Sequence, residues 1–390
     1  MRRLSCPHYT AGEADMHEKN AYIGTSRTSL PTPCLVLDID TFQKNLMVMR
    51  EMASSAGKLL RPHAKTHKCS RVAALQIANG GCAGVCAAKL SEAAVLLASG
   101  IHHVLITSPV VTKPKIEHMT ALAARHPGLI CVIDAKANAN EIDHAARRNG
   151  IRMDVLVDID PEMGRTGIPF ADAVSFASFV SSLRGLRLRG VQCYAGHLQH
   201  IRDSKERSAI SLERMGKAAG IFREIKRSVP DIDIFTGTGT GTSEADLSIP
   251  ELTDIQVGSY CVMDAEYLNL GGCSGGRFDT FTPAMTLLAT VISTNRPDFV
   301  TVDAGLKQLY YTPSAPPEII GRDGWRYEWF GDEHGKIYFA PDTVKPVIGD
   351  VIELMLPHCD PTINLHDALW VTQHGKVIDQ WDIDMRGMGQ

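Results

Sequence analysis

The sequence lacks the features that would place it in a membrane or on a nucleic acid. No apolar run reaches the roughly 18 residues that suggest a membrane span. The formal net charge is -4, from 40 Lys and Arg residues against 44 Asp and Glu residues. No patch of clustered Lys and Arg alternates with aromatic residues, so the electrostatic signature of a nucleic-acid binder is missing. We therefore expect neither a membrane nor a nucleic-acid partner.

The 10 cysteines show no disulfide or zinc signature. They are scattered, and the nearest pair, Cys82 and Cys86, lies inside a run typical of a strand. Scattered thiols of this kind are typical of a reducing compartment. Residues 1–30 are polar and lack the apolar core of a secretory signal. These absences predict a cytoplasmic protein.

From Cys34 to about residue 240, short β-branched runs alternate with longer amphipathic stretches. The candidate strands are 34–38, 58–63, 83–87, 104–107, 130–134, 154–158, 188–194 and 232–236. Strands that alternate with helices predict right-handed βαβ units and a parallel sheet. Eight such units match the size of a (β/α)8 TIM-type barrel. An open Rossmann sheet is disfavoured, because residues 35–41 contain no glycine for the expected Gly-x-Gly-x-x-Gly turn.

After about residue 275 the pattern changes to short apolar alternation with Gly and Pro between the runs. This pattern predicts a mostly antiparallel β domain. The Gly-Gly-Cys-Ser-Gly-Gly stretch at 271–276 fits a flexible crossing between the two parts. We expect an N-terminal extension at 1–30 that packs on the β domain, a barrel at 31–272 and a β domain at 273–390.

Lys65 lies in Arg-Pro-His-Ala-Lys-Thr-His-Lys at 61–68, just after a predicted strand. Cationic neighbours, which include His63 and His67, are expected to disfavour its ammonium form. A lysine that is neutral near pH 7 is nucleophilic and can form a Schiff base with an aldehyde cofactor. A solvated basic loop is the alternative interpretation of the same segment.

Functional residues of a barrel collect at the carboxyl ends of its strands. Several polar side chains are predicted to lie at that end. Lys65 follows the second predicted strand, Arg165 follows the sixth, and Tyr194, His197 and His200 follow the seventh. These five residues are therefore candidates for one site.

The eighth predicted strand leads into Thr-Gly-Thr-Gly-Thr-Gly-Thr at 236–242. Glycines free backbone amides to point at one anion, and threonines add hydroxyl donors, so the loop predicts a phosphate site. A flexible turn is the alternative. The residues predicted to hold the anion are Thr238, Gly239, Thr240, Gly241, Gly258, Ser259 and Tyr260.

His358 and Asp360 lie in Pro-His-Cys-Asp-Pro-Thr at 357–362. On an extended segment, residues two apart project to the same side, so both side chains can reach one ion while Cys359 points away. Imidazole and carboxylate together suit a divalent ion such as Zn, Mn or Mg. A hydrogen-bonded surface pair is the alternative.

These motifs together resemble the fold-type III pyridoxal phosphate (PLP) enzymes, and within them the D-threonine aldolase family. The resemblance runs from residue 32 to the C-terminus and includes Arg-Pro-His-Ala-Lys at 61–65, Met-Gly-Arg-Thr-Gly at 163–167 and His-Cys-Asp-Pro-Thr at 358–362. It implies an alanine-racemase-like barrel with a C-terminal β domain, PLP and a divalent metal (Mn, Mg or Zn) as cofactors, and a homodimer with a shared active site.

The resemblance also implies a role for each candidate residue. Lys65 would form the Schiff base, Arg165 would face the pyridine nitrogen, and the glycine and threonine loop would hold the phosphate. His358 and Asp360 would bind the metal, which acidifies the substrate hydroxyl, and His200 would be the base.

The implied reaction is retro-aldol cleavage of a D-3-hydroxy amino acid. D-threonine or D-allo-threonine would yield glycine and acetaldehyde, and 3-hydroxyaspartate would yield glycine and glyoxylate. The sequence departs from the family at two places. His197 stands where a small residue is usual, and Ala88 stands where glutamine typically precedes Lys89. Both places adjoin candidate site residues, so substrate choice does not follow from the resemblance.

Three other functions use the same lysine. A D-3-hydroxy amino acid dehydratase, similar to D-serine dehydratase, expels the hydroxyl as water, and relatives with that chemistry tend to have cysteine where this chain has Asp360. An amino-acid racemase needs no metal, and a non-catalytic PLP carrier needs no β domain. The sequence therefore favours an aldehyde-lyase that cleaves a carbon-carbon bond.

Overall fold

The structure is a computed structural model that describes residues 20–272, 275–340 and 342–390. The strands in these residues form one sheet of eight parallel strands and a second, mostly antiparallel sheet of nine strands. The predicted barrel with a C-terminal β domain is confirmed, although one predicted barrel strand lies in the other sheet.

The parallel sheet closes into a barrel. Numbered along the whole chain, its strands are β2 (Leu59–Leu60), β3 (Val85–Ala87), β4 (Val104–Ile106), β5 (Leu129–Ile133), β6 (Met153–Ile159), β7 (Leu186–Cys193), β8 (Ile234–Gly237) and β9 (Asp254–Ile255). They run in the spatial order β2, β9, β8, β7, β6, β5, β4, β3. Parallel bridges from Leu60 to Cys82 and from His63 to Cys86 join the first edge to the last.

Helices cover the outside of the barrel. They are α1 (Ile39–Ser55), α2 (Ser70–Ala78), α3 (Leu90–Ala98), α4 (Lys113–Arg125), α5 (Lys136–Arg148), α6 (Ala173–Ser182), α7 (Ser204–Ser228) and α8 (Ser243–Asp246). Helix α1 begins after Asp38, whose carboxylate accepts a 2.9 Å hydrogen bond from the Thr41 amide. Such a cap satisfies an amide that has no partner inside the helix.

All residues of the barrel strands β3, β4, β5, β6, β8 and β9 are buried, as expected for parallel strands covered by helices. In β5, Ile130 and Val132 join a small apolar cluster separate from the main core, whereas Leu129, Cys131 and Ile133 belong to the main core under the helices. Alternate residues of a strand point to opposite faces. The small cluster therefore fills the barrel interior.

Residues 34–38 form strand β1 (Cys34–Asp38), which lies in the nine-stranded sheet. The prediction that they open the barrel is therefore wrong. Strand β1 pairs antiparallel with β10 (Met285–Ser293) and parallel with β16 (Ala368–Gln373). The two-residue strand β9 takes the remaining barrel position. A buried apolar run of five residues has the same pattern in either sheet, so only its distant partners decide where it pairs.

The other strands of the nine-stranded sheet confirm the predicted apolar alternation after residue 275. They are β10 (Met285–Ser293), β11 (Phe299–Val302), β12 (Glu318–Ile319), β13 (Arg326–Trp329), β14 (Gly335–Tyr338), β15 (Val351–Met355), β16 (Ala368–Gln373) and β17 (Lys376–Asp382). The short helix α9 (Ala265–Leu268) precedes β10 in the chain, and the short helix α10 (Cys359–Ile363) lies between β15 and β16. No helix of the described residues is long and apolar enough to cross a membrane.

Part of the predicted N-terminal extension, residues 1–19, lies outside the described residues, as do residues 273–274 of the predicted crossing. The rest of the extension contacts the nine-stranded sheet. The Gly24 amide donates a 2.8 Å hydrogen bond to the carbonyl of Val377. The ring of Tyr22 lies 5.5 Å from that of Trp370.

Candidate active site

Lys65 lies at the carboxyl end of the barrel, where it lines a cavity of about 610 Å³. Its ammonium group forms an ion pair with the carboxylate of Asp360, which comes from the C-terminal part of the chain. Burial lowers the pKa of Lys65, but the Asp360 carboxylate outweighs burial and raises the pKa above its usual value. The predicted cofactor lysine and one predicted metal ligand therefore meet within a single chain.

The prediction that cationic neighbours lower the pKa of Lys65 is wrong. His63 and His67 are buried, and burial lowers the pKa of His67 to about 4, so its imidazole is neutral at pH 7. The guanidinium of Arg61 is paired with the carboxylate of Asp254, and its Nε donates a 2.9 Å hydrogen bond to Oδ1. Because the basic neighbours are neutral or paired, Asp360 rather than crowding determines the charge of Lys65.

His358 and Asp360 begin a helix, so the prediction that they lie on an extended segment is wrong. Helix α10 begins at Cys359, with His358 as its cap and Asp360 in its first turn. Cys359 is buried, and its thiol donates a 3.2 Å hydrogen bond to the carbonyl of Met263. The His358 and Asp360 side chains still interact electrostatically, and together with Lys65 they form one charged cluster.

Carboxylates surround the imidazole of His358. Its Nδ1 lies 3.0 Å from Oδ2 of Asp264 and 3.1 Å from Oε2 of Glu266. Burial lowers the pKa of His358, but the hydrogen bond to Asp264 and the nearby carboxylates raise it to about 9 overall. Burial raises the pKa of Asp360, but Lys65 and then His358 outweigh burial and hold it well below its usual value.

The donors of this cluster fit a divalent ion, although the described residues contain no group of three or more His, Cys, Asp or Glu side chains arranged to hold a metal. Asp264 binds Nδ1 of His358, which leaves Nε2 as the ligand atom, the usual arrangement of a metal-binding histidine. Oδ1 of Asp360 is buried without a hydrogen-bond partner of standard geometry. Two protein ligands would leave open positions for water or substrate.

His200 reaches the same cluster through Glu266. The 3-10 turn Gly196–His200 follows β7, and Nδ1 of His200 lies 2.9 Å from Oε1 of Glu266. Because the other oxygen of Glu266 contacts His358, one carboxylate joins the two histidines. Sequence reasoning missed Asp264 and Glu266. The available signal was their Asp-x-Glu spacing shortly after the predicted phosphate segment.

Arg165 and Tyr194 line the cavity with Lys65, whereas His197 is not one of its lining residues. The Arg165 guanidinium lies 5.4 Å from the centre of the Tyr194 ring. His197 is exposed, and its pKa is lowered, first by partial burial and then by the charge of Arg214. The structure thus brings Arg165 and Tyr194 to the lysine, whereas His197 and His200 are both exposed and are not among the residues that line the cavity.

The glycine and threonine loop is shaped by Gln199, which sequence reasoning also missed. Its Oε1 accepts a 2.8 Å hydrogen bond from the Gly241 amide. A Cβ atom at Gly239 would lie 2.6 Å from the Gln199 side chain. Thr238 has a φ of 72°, a strained conformation for a β-branched residue that is enriched at functional sites. Its buried hydroxyl has no hydrogen-bond partner of standard geometry.

The second predicted phosphate segment lies directly beside this loop. Ser259 and Tyr260 form a buried 3-10 turn, and the Tyr260 amide donates a 3.2 Å hydrogen bond to the hydroxyl of Thr240. A Cβ atom at Gly258 would overlap the hydroxyl of Thr66, the neighbour of Lys65. Closely packed glycines and free hydroxyl donors beside the lysine fit a phosphate group.

The cavity also has a polar floor that sequence reasoning missed. Gln192 Nε2 and Thr166 Oγ1 each donate a 2.9 Å hydrogen bond to the carboxylate of Asp158. Burial raises the pKa of Asp158 to about 6. Asp158 shares the inner face of β6 with the apolar Leu156. Its position inside a buried strand therefore gave it the pattern of a core residue.

Comparison with known proteins identifies the class of this protein. Residues 37–265 match the family model of the alanine racemase N-terminal domain, and residues 284–372 match a model of a serine dehydratase domain. A barrel of this type, with a lysine after a strand and a separate β domain, defines a fold-type III PLP enzyme.

Relatives that cover nearly the whole chain narrow the identification. The chain is 36% identical over 371 residues to the D-threonine aldolase of Arthrobacter sp, covering 94% of this chain and 96% of the relative. It is 32% identical over 376 residues to the 3-hydroxy-D-aspartate aldolase of Paracoccus denitrificans, covering 94% and 95%. The crystal structure of D-threonine aldolase from Filomicrobium marinum matches with a TM-score of 0.88 and 34% identity, covering 94% and 99%. The chain therefore belongs to the D-threonine aldolase family, as its motifs predicted.

Proposed function

We propose that this protein is a PLP-dependent and divalent-metal-dependent aldolase that cleaves D-3-hydroxy amino acids into glycine and an aldehyde. The observation that carries the proposal is the contact between Lys65 and Asp360. Because the candidate cofactor lysine touches a candidate metal ligand, PLP and a divalent ion bound there would act on adjacent atoms of one substrate. PLP would be the electron sink and the ion would be the Lewis acid. D-threonine, D-allo-threonine and 3-hydroxyaspartate are the candidate substrates.

When bound, PLP supplies a sink for the electron pair left on the α-carbon, and a divalent ion supplies a Lewis acid at the β-hydroxyl. Lys65, Arg165 and the glycine and threonine loop would hold PLP. His358, through Nε2, and Asp360 would hold the ion, with Mn, Mg and Zn as candidates. With Lys65 holding the cofactor, the Asp360 carboxylate, which is paired with the Lys65 ammonium in this structure, would be available to a cation.

His200 is the proposed base. Its Nδ1 contacts Glu266, which leaves Nε2 to accept the proton of the substrate hydroxyl. Loss of that proton lets the bond between Cα and Cβ break and releases an aldehyde, and a proton returned to Cα completes glycine. Histidine is the most common residue in this type of proton transfer. Its exposed position beside the charged cluster is suitable for a group that meets substrate from solvent.

The proposal includes a homodimer. Tyr310, Tyr311 and Phe330 have 45%, 56% and 50% of their surface exposed. The ring of Tyr311 lies 5.0 Å from that of Trp329, and the ring of Phe330 lies 6.4 Å from that of Phe299. A grouped exposed aromatic surface is typical of an interaction site, and light scattering on the purified protein measures the oligomeric state.

The proposal also includes a cytoplasmic location, since the eight cysteines of the described residues are all free.

A substrate panel tests the reaction. The purified protein with PLP and Mn²⁺ should convert D-threonine to glycine and acetaldehyde, with D-phenylserine and 3-hydroxyaspartate isomers compared in the same assay. Formation of 2-oxobutanoate and ammonia from D-threonine would instead indicate a dehydratase, and formation of L-allo-threonine, the product of inversion at Cα, would indicate a racemase. Activity should disappear with a chelator and return with Mn²⁺. Activity indifferent to the chelator would contradict the metal requirement.

A further inference from the structure

Glu266 contacts two histidines that the proposed function gives different tasks. We infer that Glu266 is a positioning residue that holds His200 in the tautomer with the proton on Nδ1, and that it acts on turnover through His200. This inference rests on the proposed function and deepens it, because it assigns the group that orients the base.

The backbone around Glu266 is held firmly in place. The carboxylate of Asp264 caps helix α9 and accepts a 2.9 Å hydrogen bond from the Tyr267 amide. The Glu266 amide itself donates a 3.1 Å hydrogen bond to the carbonyl of Pro357, the residue before His358. The position of Glu266 relative to His358 is therefore determined by backbone contacts rather than by a flexible loop.

The chemistry of the Glu266 carboxylate determines the tautomer of the His200 imidazole. An ionised carboxylate only accepts hydrogen bonds, so Nδ1 of His200, which lies 2.9 Å from Oε1 of Glu266, must be the donor. Nδ1 of His358 instead forms its hydrogen bond with Asp264, and Glu266 interacts with His358 only electrostatically. A neutral imidazole with its proton on Nδ1 has its lone pair on Nε2. For His200 this lone pair is the site that accepts the substrate proton.

The two histidines depend on Glu266 to different degrees. His358 also contacts the fully buried carboxylate of Asp264 at 3.0 Å, so it keeps a partner when Glu266 is removed. His200 has 56% of its side chain exposed, and among the described residues Glu266 is the carboxylate that contacts it. Loss of Glu266 should therefore release His200 and leave His358 largely in place.

Steady-state kinetics and metal titration of the PLP-loaded enzyme test this difference. In Glu266→Ala, kcat should fall about 10-fold to 100-fold, the range for loss of a group that orients an active residue, with KM changed less than about 3-fold. Calorimetric affinity for Mn²⁺ should stay within about 3-fold of wild type, whereas Asp264→Asn should weaken it about 10-fold or more. Glu266→Asp should recover part of kcat. Glu213→Ala, which replaces an exposed glutamate of helix α7, is the matched control and should leave kcat unchanged.

A double variant tests whether Glu266 acts through His200. Glu266→Ala should slow the wild-type enzyme but not slow the His200→Ala enzyme further, because the group that it orients is already missing. An equal loss in both backgrounds would overturn the inference. A loss of Mn²⁺ affinity as large as that of Asp264→Asn would also overturn it. If Glu266→Ala does not fold, Glu266→Asp and Glu266→Gln take its place in the same cycle.

Nitrogen NMR of histidine-labelled protein provides a readout that needs no turnover. His200 should be a single tautomer protonated on Nδ1 in wild type and a mixture of tautomers in Glu266→Ala. An unchanged His200 signal would overturn the inference even if the aldolase reaction is found. A changed signal in a protein without aldolase activity would support the orientation by Glu266 and reject the proposed function.

Discussion

Replacing Asp360 with asparagine removes one negative charge from the centre of the site and keeps the side-chain volume. In the protein without metal or cofactor, the change leaves the Lys65 ammonium without its ion-pair partner. Breaking a buried ion pair by removing one member costs about 3–5 kcal/mol. The Lys65 side chain is 39% exposed, so water replaces part of the lost interaction, and we expect a loss of about 1–2 kcal/mol in unfolding free energy.

Urea unfolding of the cofactor-free protein measures this loss, and a second variant isolates its cause. In a Lys65→Met background, Asp360→Asn should cost much less, because no ammonium remains to be left unpaired. Glu213→Gln, an exposed carboxylate paired with Lys217, is the control and should leave the unfolding midpoint unchanged. With PLP and Mn²⁺ present, Asp360→Asn should retain the visible absorbance of the cofactor but lose metal-dependent turnover.

Two results would refute this reasoning. An equal loss of stability in the wild-type and Lys65→Met backgrounds would show that the two residues are not coupled. Turnover that stays unchanged in Asp360→Asn, with the same Mn²⁺ dependence as wild type, would remove Asp360 from the metal site.

Three further predictions use other parts of the site. Lys65→Ala should abolish the visible PLP band, and a retained, borohydride-reducible band would place the attachment on another lysine. Gly239→Ala should weaken PLP binding about 10-fold or more, because the new Cβ would lie 2.6 Å from the Gln199 side chain. Fluorescence titration measures the affinity for PLP. An unchanged affinity would contradict the predicted clash with Gln199. Burial raises the pKa of Asp158 to about 6, so folding is favoured when this group is protonated. Relative to Asp158→Asn, wild type should lose about 3 kcal/mol of unfolding free energy as pH rises from about 4 to above 6. Urea unfolding of both proteins at each pH measures this loss. A difference in unfolding free energy between the two proteins that does not change with pH would contradict the prediction.

Much of the fold could be predicted from local pattern. The runs in β5 and β6 are apolar and β-branched along their length, and strands of that kind between amphipathic helices form a parallel sheet. Strand β1 shows the limit of this reasoning. Its five residues are buried like those of a barrel strand, but they pair with residues near 287 and 370, and no local feature encodes a partner so distant in sequence.

The candidate site divides in the same way. Lys65, Arg165 and the pair His358 and Asp360 could be chosen from residue type and position after predicted strands. Their electrostatic states could not be predicted from the sequence, because the pKa of Lys65 depends on the carboxylate of Asp360, which is 295 positions away in the chain. Glu266 was missed for the same reason, since its two partners come from separate segments.

The sequence by itself determined which chemistry-bearing side chains are present and that a barrel would display most of them at one end. Residue type and local periodicity are properties of short segments, so they can be recognised without the fold. Only the tertiary structure decided that Lys65 pairs with Asp360 and that one carboxylate joins His200 to His358. These contacts act over a few ångströms between residues far apart in the chain, and folding alone brings them together.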